Sequence, residues 1–262
     1  MSDACRLEML LPHEIRAAWA RRPVAYLPLG TVEWHSEHLP VGLDALTAHG
    51  LCLKAAELDG GLVYPPLFFG TGGGHGRYPF TVMMDDGTQI AALVVRALER
   101  LQDFGVRLAV LYSGHFAPTQ LALIASLAES WNGRGGPMRV LARAVNQGVG
   151  ISIPPDHAGV FETTLLHSLW PDRVKIDRLQ PVDLWPDPDN GGDPFGPQRH
   201  DANHPLWGIF GSDPRKFDPA NSAALLTELG TWLIAEVRDA EPPKPAASLH
   251  GEAAKVARSA AL

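Results

Sequence analysis

Two short apolar runs constrain this chain most: Val24 to Leu29, ended by Gly30, and Val106 to Tyr112, followed by Ser113-Gly114-His115. Each has the length and composition of a buried strand. Segments of helical period separate and follow them. From Thr88 on, Ile90, Leu93, Val94, Leu98, Leu101 and Phe104 recur at helical spacing until Gly105. Further helices are expected from Asp44 to Gly60, over 119–131, over 158–169 and over 221–237. Shorter strands are expected at 62–64 and 138–145, and the Gly-rich stretch FFGTGGGHGRYPF reads as an irregular loop. Strands alternating with helices predict a mostly parallel sheet covered on both faces. Ligands of such sheets bind beyond the carboxyl ends of the strands.

A chain of 262 residues fits one large domain, here 1–240, better than two. The tail 241–262, rich in Ala, Pro and Lys, is expected to fray or to dock on a neighbouring subunit. A net charge of −7 provides neither the basic face of a general nucleic-acid binder nor a patch for anionic lipid. Cys5 and Cys52 are too few for a disulfide framework and read as reduced thiols in the cytoplasm. Charges at Asp3, Arg6, Glu8, Glu14 and Arg16 interrupt any signal-peptide core, and no stretch approaches the ~20 apolar residues of a membrane span. Residues 171–217 carry many Pro, Gly and Asp with weak periodicity, which predicts a functional insertion or binding loops.

The chemistry concentrates in GTVEWHSEHLPVGLD, residues 30–44, directly after the first strand. Glu33 and His35 are two apart, so in extended backbone both side chains project to the same side. A carboxylate beside an imidazole begins a divalent-metal site. Asp44 suits either a helix cap or a bridging ligand at a helix start. His115, after Gly114, is placed to project into the cleft or to stay hydrogen-bonded at the strand end. In DHAGVFETT, Glu162 suits a ligand or a first-turn cap, because a carboxylate in an apolar run is costly to bury unpaired. His157 is then free for proton transfer near neutral pH. Trp34, His38, His75, Arg77 and Phe116 are candidates to line the pocket, with Phe80, Trp185 and Trp207 as walls or core. The histidines at 13, 49, 167, 200, 204 and 250 read as surface or structural. GTGGGHG (70–76) lacks the Lys-Ser/Thr ending of a phosphate loop, and no GxSxG elbow is present.

In order and spacing, LGTVEWHSEHLPVGLD, SGH after a strand, DHAGVFETT and the later GIFGSDP resemble the creatininase family of metal-dependent amidohydrolases, across roughly residues 24–230. The resemblance implies a creatininase-like three-layer α/β/α sandwich around a mostly parallel sheet and a homo-oligomer. It implies two divalent ions (Zn, Mn or Fe), one held by Glu33, Asp44 and His115, the other by His35, Asp44 and Glu162, with Asp44 bridging and His157 moving protons. Three departures stand out. Ser113-Gly114-His115 replaces the family's Asn-Gly-His, Ala117 stands where creatininase has a glutamate, and 151–155 lacks its tryptophan. The resemblance thus implies hydrolysis of a small amide, cyclic amide or related C–N bond rather than of creatinine. Family relatives acting on formamides, a peptide or a keto-inositol ring supply alternatives. A degenerate protein that binds a small ligand or serves in an assembly is another.

Overall fold

The structure is a computed structural model describing residues 3–242; the expected tail lies, from residue 243 on, outside the described residues. The chain opens with α1 (Pro12–Arg21), where Glu14 accepts a 2.7 Å hydrogen bond from the Leu11 amide and so caps its own helix. There follow β1 (Val24–Leu29), α2 (Leu43–Asp59), β2 (Leu62–Val63), β3 (Gly70–Thr71), β4 (Met83–Met84) and α3 (Thr88–Asp103). The second half adds β5 (Leu108–Ser113), α4 (Pro118–Asn132), β6 (Arg139–Ala144), α5 (Val160–Leu169) and α6 (Ser222–Ala240).

Four strands form one sheet in the order β2-β1-β5-β6, all parallel, with Val24 beside Leu108 and Leu29 beside Ser113. The period-two geometry of a strand divides each between two cores. Val24 and Tyr26, with Leu108, Val110 and Tyr112, pack under α2, α5 and α6. Ala25, Leu27 and Leu29, with Ala109 and Leu111, pack under α1, α3 and α4. This is the α/β sandwich expected. The chain moves outward from β1 to β2 and then returns to place β5 on the other side of β1. The strand order therefore reverses between β1 and β5, and the crevice at such a switch point is where open parallel sheets take ligands.

Several boundaries differ from the sequence expectation. β5 begins at Leu108, because the amides of Arg107 and Leu108 both turn to the Pro23 carbonyl. α5 begins at Val160 rather than Ala158, whose φ of 55° is left-handed and cannot start a helix. The Gly-rich loop is not wholly irregular: β3 within it makes a small parallel pair with β4, just beyond its end.

Residues 171–217 form short 3₁₀ turns, not long helices or strands. Leu179, Leu206 and Ile209 bury themselves against Leu43 and Leu166, which ties the segment to the sandwich. Within it, Arg199 is 1% exposed. Its Nε and Nη2 each donate a 2.7 Å hydrogen bond to Asp189, and its Nη1 donates to the Ile209 carbonyl at 2.9 Å. Among the described residues no helix is long and apolar enough to cross a membrane.

Candidate metal centre

Two glycines shape the crevice between β1 and β5. A Cβ on Gly30 would lie 2.1 Å from the Ala45 amide nitrogen, and one on Gly114 would lie 2.0 Å from the Asp44 carbonyl oxygen. The first turn of α2 therefore nests between the two strand ends only because both positions lack a side chain. Gly114 serves this close approach. Asp44 lies inside the first turn of α2, after the N-cap Gly42, so its carboxylate is not spent on capping. The helix dipole still favours its negative charge there.

The crevice collects side chains from four segments. His35 Nε2 lies 3.1 Å from Asp44 Oδ1 and 3.4 Å from Glu162 Oε2. His115 Nδ1 lies 2.9 Å from Glu33 Oε2 and 3.3 Å from Asp44 Oδ2. The two oxygens of Asp44 thus face two different imidazoles, each beside a further carboxylate. All five side chains are at least 95% buried. His35 Nδ1 donates a 2.9 Å hydrogen bond to the Glu33 carbonyl, which leaves Nε2 as the nitrogen aimed at the carboxylates.

Glu33 Oε2, His35 Nε2, Asp44 Oδ2 and His115 Nε2 are buried without a hydrogen-bond partner. The first three approach an opposite group, as above, but not with hydrogen-bond geometry, and His115 Nε2 has no partner at all. Ligand atoms of Glu33, His35 and Asp44 lie within 4.8 Å of one another, as do those of Glu33, His75 and His157, and those of His35, His157 and Glu162. A buried set of carboxylates and imidazoles with unpaired atoms fits divalent cations.

The electrostatics follow from burial opposed by these neighbours. Burial alone would lower the His35 imidazole, but the Asp44 and Glu162 carboxylates raise it to about 10. His115 is likewise lowered by burial and carried up to about 11 by Asp44 and Glu33. Burial would raise Glu33, yet the imidazoles of His157, His115 and His75 hold it well below the carboxylate range. Burial pushes Glu162 well up, so this carboxylate most lacks a positive partner.

His157 sits beside the cluster, its ring 4.4 Å from that of His35. Burial, then the His35 charge, depress it to about 3, so it is neutral at pH 7. Its Nε2 donates to the Trp34 carbonyl at 3.1 Å, which leaves Nδ1 to accept a proton. A reciprocal pair of backbone hydrogen bonds, 2.9 and 2.8 Å, fixes residue 157 against Phe210.

A cavity of about 200 Å³ opens on this cluster. His75 and Phe116 line it with Glu33, Asp44, His115, His157 and Glu162. His75 Nδ1 donates a hydrogen bond to Glu33 Oε1, and its ring stacks on Phe210 at 5.2 Å. Trp34 and His38 are placed differently. The Trp34 ring lies between Phe80 and Trp207, and buried His38 pairs through Nε2 with Thr163 Oγ1 at 3.1 Å. Neither lines the cavity, nor do the exposed Arg77 and Trp185.

Three residues escape sequence reasoning. Asp156 caps α5 by accepting from the amides of Gly159, Phe161 and Glu162, and burial pushes it up to about 7. Its signal was an aspartate four residues before the helix start. Phe210 and His200 pack ring to ring at 4.6 Å, and His200 Nδ1 meets the Tyr78 hydroxyl at 2.7 Å. Phe210 lies within the GIFGSDP block, which marks the family but not the packing of this ring, and His200 reads only as surface or structural.

The chain was compared with known proteins. The sequence profile described as "Creatininase: Creatinine amidohydrolase" matches residues 8–237. The creatinine amidohydrolase of Pseudomonas putida is 31% identical over 180 residues, 60% of this chain and 68% of that protein. The mycofactocin precursor peptide peptidase of Mycolicibacterium smegmatis is 27% identical over 192 residues, 68% of this chain and 73% of that protein. The crystal structure of a creatininase superposes with a TM-score of 0.75 at 24% identity, covering 93% of this chain and all of the other. A mutant creatininase of Zn-Zn type (TM-score 0.72, 24% identity, 92% and 100% covered) and a creatininase Mn form (0.71, 25%, 91% and 99%) share the fold. The profile spans nearly the whole described chain, which therefore belongs to the creatininase family of hydrolases.

Proposed function

We propose that this chain is a divalent-metal hydrolase that cleaves an amide C–N bond, with Glu33, Asp44 and His115 holding one ion and His35, Asp44 and Glu162 a second. One observation carries the reading: the two oxygens of buried Asp44 lie 3.1 and 3.3 Å from two different imidazoles. That is the arrangement a bridging carboxylate needs. Relatives named for zinc and manganese forms support either ion here, and iron suits the same donors. A bound pair supplies Lewis-acid polarisation of the amide carbonyl and acidifies water.

The chain's own groups do the rest. Glu33 and Asp44 remain anionic in the crevice and neutralise the cations. His75, through its hydrogen bond, holds the Glu33 carboxylate in one orientation. His157, neutral and fixed through Trp34 and Phe210, takes a proton at Nδ1 and passes it to the departing nitrogen. In balance, the water oxygen joins the carbonyl carbon, the C–N bond breaks, and nitrogen leaves with the electron pair and gains that proton. Both relatives compared above are named for C–N cleavage, one of a cyclic amide and one of a peptide. In the cavity wall away from the proposed ligands, Phe116, Ala117 and Pro118 present an uncharged face to the substrate.

The test is elemental analysis with a panel of amides, cyclic amides and peptides. The native protein is expected to carry two divalent ions, and Asp44→Ala to lose both ions and all turnover. Asp44→Ala with two ions still bound refutes the bridge. His157→Gln is expected to keep its metal while kcat falls by about 10²–10⁴.

A further inference from the structure

The cavity does not end the concave surface. A groove of about 500 Å³, formed by Gly72, Gly73, Gly76 and the stretch Thr81 to Asp85, meets it at Gly73, which borders both. The cavity alone, about 200 Å³, is smaller than the ~300–1,000 Å³ of typical small-molecule sites. It accommodates a reacting amide and little else. One side of the groove comes from the GTGGGHG segment, which no nucleotide motif explains and which supplies none of the proposed metal ligands.

The groove suits main chain. No close hydrogen bond among the described residues involves the peptide groups of Gly73, Gly74 or Gly76. Gly73 holds a φ of 82°, and a Cβ on it would lie 3.4 Å from that of Ala117 and 3.5 Å from the His115 ring. A glycine run leaves peptide groups bare for close approach by another backbone. Beside them, Val82, Met83 and Met84 supply an adaptable apolar wall, and Val82 is 48% exposed. Of the groove residues only Asp85, at the end of the stretch, is charged.

Resting on the hydrolase reading above, we propose that the amide cleaved here belongs to an extended peptide. Its main chain lies along Gly73 and Gly76 and its uncharged side chains rest on Val82 to Met84. The cavity then holds the scissile bond, and the groove binds the residues on one side of it.

The experiment uses the full-length, metal-loaded protein and a series of end-capped alanine peptides from dipeptide to hexapeptide. The expected result is a kcat/KM that rises by about tenfold or more between dipeptide and tetrapeptide, because remote contacts are converted into rate. A Cβ on Gly76 would meet only Met83, at 4.0 Å, and Gly76 is not left-handed, so Gly76→Phe places a ring in the groove without backbone strain. That variant is expected to abolish the gain with length. Cleavage of compact amides with no dependence on peptide length overturns the proposal and leaves the hydrolase reading standing. If no amide is cleaved at all, that reading falls, and calorimetric binding of the same peptides decides the groove. Affinity that rises with length and drops in Gly76→Phe supports it; affinity independent of length overturns it.

Discussion

His35 and His115 hold opposite loyalties. Each is a ligand only when it surrenders the proton that its neighbouring carboxylates hold on it. With the imidazoles raised to about 10 and about 11, both are protonated at pH 7 without metal. Metal must displace those protons, so uptake releases protons and tightens as pH rises. Titration calorimetry of zinc or manganese in buffers of different ionisation heat measures this directly. Heats that do not change with the buffer refute it. At this scale the sequence was informative where spacing dictates direction: Glu33 and His35, two apart, do point into one crevice. It named His75 as a pocket residue but gave no hint of its pairing with Glu33. A histidine inside a glycine run has no periodicity to aim it, and its pairing with Glu33 depends on how the loop folds over the site. Trp34 was misleading in a physical way, because its carbonyl, not its ring, meets His157.

The elements explain why ligands so far apart in sequence meet. β1 delivers Glu33 and His35, β5 delivers His115, and α2 wedges Asp44 between them. That wedge depends on Gly114, where any Cβ would collide with the Asp44 carbonyl at 2.0 Å. Gly114→Ala should therefore cost about 1–3 kcal/mol as an overpacked contact. It should also weaken metal binding by about 10–100-fold, the usual consequence of misplacing ligands. Denaturant unfolding and metal titration measure the two effects. A variant with native stability and native metal affinity would show that α2 does not set the ligand spacing. Apolar runs and helical periods exposed the main sheet strands and the helices from α2 on in advance, but not α1. The small β3–β4 pair stayed hidden because two-residue strands leave no pattern, and the start of α5 shifted because Ala158 is left-handed.

At the scale of the whole molecule, a buried cluster of like-charged carboxylates is a weakness until cations fill it. Metal binds the folded chain and not the unfolded one, so loading should stabilise the fold by about 2.7 kcal/mol at a hundredfold excess over Kd. Thermal unfolding with and without a chelator tests this; coincident transitions would contradict it. The alternation of strands and helices, read with the rule for strand carboxyl ends, was enough to locate the site on the sheet. Which loops would close over it was not legible, since residues 171–217 return to the crevice through tertiary contacts such as Leu206 and Ile209 on Leu43.

The reciprocal backbone pair between residues 157 and 210 imposes an order on assembly. A nascent polypeptide synthesised through position 162 already possesses every side chain of the cation clasp. Its imidazole at 157 gains its second anchor only once some fifty further residues have emerged and closed back on it. However early its ligands are synthesised, the complete site therefore waits on the second half of the chain.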